Sequence, residues 1–153
     1  MKFRDFLKPE AIRIHLRAVN KQEVIEKLVD VLVSTYRLTH RQEILNAILE
    51  REALMSTGVG KGVGIPHGKV DRVQEVIGSL AILSPGVEFG SPDGLPVQIA
   101  ILLVASTKET GPHIRALALI SRMLQDEKIR EGLIQAESPK QVFDILDHKE
   151  QEF

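Results

Sequence analysis

The chain has 153 residues, 43% of them hydrophobic and 27% charged, and carries a net charge of -1; this length and balance suit one globular domain over 1–153, without the basic surplus that general nucleic-acid binding needs. It has no cysteine, which excludes disulfide scaffolds, thiolate metal sites and cysteine nucleophiles. The charged opening Met1-Lys2-Phe3-Arg4-Asp5 lacks a signal-peptide run, and the longest apolar stretch, residues 99–105, is too short to span a bilayer, so a cytoplasmic protein with no direct membrane insertion is expected.

Ala11, Ile12, Ile14 and Leu16 interleave with Arg13 and His15, which predicts a strand near the start. Asn20 stands three residues before Glu23 in capping-box spacing, and Val24, Leu28 and Leu32 form the buried stripe of the helix that follows. A second helix is predicted after Thr39, with Gln42 at the matching offset and Ile44, Leu45, Ile48 and Leu49 on its apolar face. Arg51 projects on that same side. Its position alone fits either a snorkelling arginine at a helix end or a guanidinium aimed at an anion.

The texture then changes. Ser56-Thr57-Gly58-Val59-Gly60-Lys61-Gly62-Val63-Gly64-Ile65-Pro66-His67-Gly68 has glycine at every second position from 58 to 64, which no helix survives and which weakens a central strand. Backbone N–H groups in such a loop can crowd a bulky anion and form a nest. No nucleotide fingerprint is met: Gly60-Lys61 and Gly68-Lys69 are followed by Gly62 and Val70, where a P-loop needs Ser or Thr.

Two apolar runs, residues 76–84 and 97–105, flank the Asp93-Gly94 turn signal and read as buried strands. Gly111-Pro112-His113 predicts a helix start. Ile114, Leu117, Ser121 and Leu124 share one face of that helix, and Leu119, Ile120 and Met123 make it apolar nearly all round. Ser138-Pro139-Lys140-Gln141 is another capping box, opening a last helix with Val142, Ile145 and Leu146 inward. The pattern predicts an α/β fold, a mixed sheet of about four to five strands flanked by helices on both faces.

His67 is either a surface or hydrogen-bonding loop histidine, the commoner case, or a nucleophile. Pro66 stiffens the approach to it and Gly68 leaves one side open. A neutral imidazole is a competent nucleophile near pH 7 without a further base. His113 falls in the predicted first turn of an apolar helix, where free N–H groups favour negative charge and disfavour imidazolium. A neutral His113 there can donate a hydrogen bond to a phosphoryl oxygen. A paired-histidine metal site lacks a third ligand in any recognisable cluster, and no metal or cofactor is expected.

These residues resemble the type 2 IIA components of the bacterial phosphoenolpyruvate-dependent phosphotransferase system (PTS), the fructose/mannitol IIA domains and the related nitrogen-regulatory IIA protein. The resemblance is carried by Gly60-Lys61-Gly62-Val63-Gly64-Ile65-Pro66-His67-Gly68-Lys69, by Arg51-Glu52 and Ser56-Thr57-Gly58 before it, by Asp93-Gly94-Leu95-Pro96-Val97, and by His113-Ile114-Arg115-Ala116-Leu117. Two departures stand out: Gly64 where the family commonly has alanine, and Ala105-Ser106-Thr107 where it often has a proline-containing segment.

The resemblance implies a phosphotransferase in which His67 accepts a phosphoryl group from HPr or its nitrogen-branch relative. His113 then stabilises that group, and Arg51 contributes charge. Ser56, Thr57, Gly58, Gly60, Gly62 and Gly64 would line the phosphate pocket. The onward partner is a IIB domain in sugar uptake, or a regulated target protein in nitrogen signalling. A chain without a IIB or membrane segment tilts the expectation toward the nitrogen branch. The alternative is a regulatory binding module whose phosphorylation state is read without onward transfer; a phosphorylation-free scaffold is disfavoured by retention of both histidines and Arg51.

Overall fold

In a computed structural model, residues 1–150 are described. After a short 3-10 turn the chain forms β1 (Leu7–Leu16), α1 (Lys21–Tyr36) and α2 (Arg41–Leu54), then the short strands β2 (Gly58–Gly60), β3 (Val63–Gly64) and β4 (His67–Val70). The long strands β5 (Ile77–Val87) and β6 (Val97–Ser106) follow, and α3 (Gly111–Met123), α4 (Glu127–Ile134) and α5 (Pro139–Lys149) complete the chain. The mixed sheet has six strands, more than expected, because the glycine-rich segment folds as β2 to β4 instead of staying a loop.

β6 is the axis of the sheet and is buried along nearly its whole length, as befits a strand covered on both faces. On one side it pairs antiparallel with β5, which in turn pairs parallel with β1. On the other side it pairs parallel first with β3 and then with β4. One apolar layer joins Ile12, Leu80 and Ile101 of the sheet to Ile120, Leu133 and Leu146 of the C-terminal helices. The opposite layer joins Ala100, Leu102 and Val104 to Leu28, Leu32, Ile44 and Ile48 of α1 and α2.

The caps follow the sequence reading in part. Asn20 Oδ1 accepts from the Glu23 N–H at 2.9 Å and Ser138 Oγ from the Gln141 N–H at 3.1 Å. Glu23 and Gln141 reach back one residue further than a capping box, to the N–H groups of Val19 and Glu137. α2 is not capped by Thr39: its N-cap is His40, without a side-chain hydrogen bond, and Gln42 bonds Asn46 instead. α3 buries His113, Ala116, Leu119, Ile120 and Met123. Of the face read through Ile114, Leu117, Ser121 and Leu124, Leu124 is buried and Leu117 partly so, while Ile114 is 57% exposed and Ser121 is exposed; a helix apolar all round gives periodicity no way to choose a face.

Gly64 also acquires a reason. A Cβ there would stand 3.0 Å from Phe89 Cε2 and 3.1 Å from Cδ2, and Phe89 is buried at 1% exposure, so its ring would have to shift within the core. The ring occupies the space a methyl would need. Gly64→Ala is therefore expected to destabilise the fold by about 1 kcal/mol through overpacking. Phe89→Leu should absorb part of that cost in the double variant. Urea denaturation of the two single variants and the double checks this, and strictly additive effects would contradict it.

Candidate functional site

The site is built where a strand breaks. β3 and β4 run along β6 in one register, Val63 opposite Ile99 and His67 opposite Leu103, with Ile65 and Pro66 between them. Pro66 has no N–H to give the ladder, although its carbonyl still accepts from the Leu103 N–H at 3.0 Å. The Ile65 carbonyl meanwhile meets His67 Nδ1 at 2.7 Å. A carbonyl only accepts, so Nδ1 is the protonated nitrogen and Nε2 keeps its lone pair.

Two clefts meet at this imidazole, and both are bounded by Arg51 and His67. One, of about 630 Å³, adds Ser56, Thr57, Gly58, Leu117 and Ser121. The other, of about 660 Å³, adds Lys69, Thr110, His113 and Glu50. The rings of His67 and His113 lie 5.3 Å apart between centroids and 51° apart in plane. Arg51, from the last turn of α2, donates Nη1 to the Met55 carbonyl at 2.8 Å, which fixes its stem beside the opening.

Both imidazoles are held neutral. Burial is the main cause of a lowered pKa at His67, assisted by Arg51 and Lys69 and opposed by the Ile65 hydrogen bond and Glu52. His113 is pushed down to about 4, first by burial and then by His67 and Lys69. His113 Nδ1 is buried without a partner. A proton there would have no acceptor, so the favoured tautomer of His113 carries it on Nε2.

Of the other candidates, Ser56, Thr57 and Gly58 line the first cleft, while Gly60 lines a smaller cavity beside Lys61 and Ser121. Gly62 and Gly64 line neither of the two clefts. Several amides of the segment are already engaged: Gly58 N–H with Ser56 Oγ, Lys61 N–H with Asp93 Oδ2, and Ile65 N–H with Thr57 O. Positive φ falls at Gly60, Lys61 and Gly62, which shapes the tight β2–β3 turn.

Sequence reasoning missed two residues. Lys69 lies two positions past His67 on β4 and shares its cleft; strand alternation gives that relation once the segment is known to be extended. Glu52 is a buried carboxylate beneath Thr57; its place four residues after Ile48 on the apolar stripe of α2 is the signal that could have found it. Among the described residues, no group of three or more His, Cys, Asp or Glu is placed to hold a metal. None of the described helices is long and apolar enough to cross a membrane.

The sequence profile of the "Phosphoenolpyruvate-dependent sugar phosphotransferase system, EIIA 2" family matches residues 5–149. The chain belongs to this family. A fructose-specific EIIABC component of Bacillus subtilis is 34% identical over 95% of the chain, which spans only 23% of that relative's length. A nitrogen regulatory protein of Bradyrhizobium diazoefficiens is 33% identical, with 95% of both proteins covered. Among solved structures, the nitrogen regulatory protein IIA-Ntr of Neisseria meningitidis superposes with a TM-score of 0.86 at 29% identity, covering 92% of this chain and 96% of that one. The mannitol IIA of Escherichia coli, solved in complex with phosphorylated IIB, gives 0.79 at 27% identity over 92% of this chain and 98% of its own.

The depressed histidines of this IIA protein predict a pH dependence. An imidazole whose pKa falls on folding from 6.5 to about 4, as at His113, stabilises fully above its unfolded value, and that contribution is lost as pH falls through this window. The denaturation midpoint should therefore drop between pH 6.5 and 4, and His113→Gln should flatten part of the slope. An unchanged slope in the variant would contradict the assignment.

Proposed function

We propose that His67 is the phosphoryl acceptor of this IIA protein and that residues 1–153 act as one IIA domain in the cytoplasm of a bacterium. The observation that carries the reading is the Nδ1 hydrogen bond to Ile65, which leaves Nε2 as the nucleophile at the meeting of the two clefts. In the reaction, Nε2 bonds to phosphorus while the phosphorus–nitrogen bond to the donor's histidine breaks, and the donor ring, protonated beforehand on its other nitrogen, leaves as a neutral imidazole. No proton need move. The Nδ1–H retained on the His67 ring steadies the charge that the new bond places there through its Ile65 acceptor.

The transferring group spreads negative charge over its equatorial oxygens, so catalysis is mainly positioning and charge stabilisation. Arg51, Lys69 and the His113 ring border the space beside His67. A neutral His113 can donate from Nε2 without competing for the phosphoryl group. Because His67 titrates below its ordinary value, its nucleophilic form persists into mildly acidic solution.

The donor is a phosphocarrier protein, HPr or its nitrogen-branch relative. Supporting this, Leu54 (83% exposed), Met55 (71%) and Val59 (57%) join Ile114 in an apolar rim around the two openings, more than scattered surface side chains require. The onward acceptor is a IIB domain, as in the mannitol complex. A second reading, a nitrogen-regulatory protein whose phosphorylation state is read by a target, is supported by the higher TM-score to IIA-Ntr, 0.86 against 0.79 for the mannitol IIA.

Incubation with phosphoenolpyruvate, enzyme I and each carrier should give an acid-labile label on the wild type and none on His67→Ala; full labelling of the variant would sink the proposal. Arg51→Ala is expected to slow labelling by about 10²-fold. His113→Ala should bind the carrier normally and transfer slowly, as read by titration calorimetry beside quench-flow. Discharge of the label by an added IIB domain separates relay from the signalling reading.

A further inference from the structure

The buried face of α2 runs Ile44, Leu45, Ile48 and then, at the next helical step, Glu52. The Glu52 side chain is only 5% exposed, and a carboxylate so placed is costly unless it is matched. It is matched on both oxygens. Oε1 accepts from the Thr57 N–H at 3.0 Å and pairs with Lys21 Nζ, also at 3.0 Å, while Oε2 accepts from Thr57 Oγ1 at 2.5 Å. Glu52 therefore clamps Thr57 by backbone and side chain together, and Lys21 at the first position of α1 braces the clamp from behind.

Thr57 is not an end point. Its carbonyl accepts from the Ile65 N–H at 3.0 Å, and the Ile65 carbonyl in turn accepts from His67 Nδ1 at 2.7 Å. One chain of hydrogen bonds thus runs from a buried acid to the ring whose tautomer decides the chemistry. We propose that Glu52 is a positioning residue: through Thr57 and the Ile65 peptide it fixes the Ile65 carbonyl, and so holds His67 with its proton on Nδ1 and its lone pair on Nε2. Glu52 touches neither imidazole directly, and its adjacent neighbour Arg51 faces the cleft. Consecutive residues at the end of α2 thus serve the two sides of the site, Arg51 toward the anion and Glu52 toward the loop that carries the nucleophile.

The catalytic consequence of the clamp rests on the proposed role of His67, but the ring geometry does not, and the test uses both. The full chain, labelled with 15N, reports the His67 tautomer from its ring-nitrogen shifts without any phosphoryl donor. Wild type should show Nδ1 protonated and Nε2 bare. Glu52→Ala should give a mixture of tautomers, and its kcat for transfer should fall about tenfold while the KM for the phosphocarrier stays within about twofold. Glu52→Gln, whose carboxamide can accept the Thr57 N–H and donate to Oγ1, should restore the wild-type ring signals and most of the rate.

A folded Glu52→Ala with wild-type ring signals overturns the proposal, as does a wild-type His67 that carries its proton on Nε2. Should Glu52→Ala fail to fold, Thr57→Val removes the Oγ1 contact alone and is expected to shift the tautomer in the same direction; unchanged signals there overturn it equally. A wild type that takes up no phosphoryl label would instead sink the phosphotransfer reading and leave the ring measurement standing.

Discussion

The site depends on one hydrogen bond, from His67 Nδ1 to the carbonyl of Ile65. It forms at a break in a strand that is otherwise held rigidly against β6 on both sides of the gap. Proline makes the break without shifting the register, because it removes a donor and leaves the extended backbone direction in place. The interruption leaves a carbonyl to meet the histidine that follows, and that contact settles the tautomer. His67 is thus mounted on a strand paired to β6, the central and almost wholly buried strand, where sheet pairing resists displacement.

Around that contact the electrostatics follow from burial more than from pairing. Two imidazoles 5.3 Å apart would repel if both were charged. Burial, with Lys69 beside both rings and Arg51 beside His67, favours their neutral forms. The cations remain, and the cleft presents positive charge and neutral donors to whatever enters. Oriented donors of this kind stabilise developing negative charge more strongly than water does, because they need no reorganisation.

The glycine-rich segment serves a different purpose from a free anion nest. Gly64 makes room for the Phe89 ring and Gly62 turns the chain between short strands, so the glycines let the backbone fold tightly beneath the clefts. The hydroxyls of Ser56 and Thr57 are drawn into the same scaffold, donating to Phe89 O and to Glu52. Around the openings, Leu54, Met55, Val59 and Ile114 stay uncovered, a combination of rigid centre and apolar rim suited to a protein carrying a phosphorylated side chain.

Much of this was legible in the residues. Local chemistry announces itself in order: Asn20 and Ser138 as helix caps, the apolar runs of β5 and β6, His67 between proline and glycine, and His113 at a helix start. Each signal depends on neighbours a few positions away, the range over which backbone geometry and capping act. Tertiary structure decided the rest. Which face α3 buries, why Gly64 lacks a methyl, why the 58–70 segment forms strands, and what pairs Glu52 from behind all depend on partners distant in sequence, on Phe89, on β6 and on Lys21. The sequence by itself singled out the candidate group, the His67 imidazole, and its chemical kind. Only the packed fold decided which of its two nitrogens is free to react, because the acceptor that ties down the other exists only once the broken strand lies against β6.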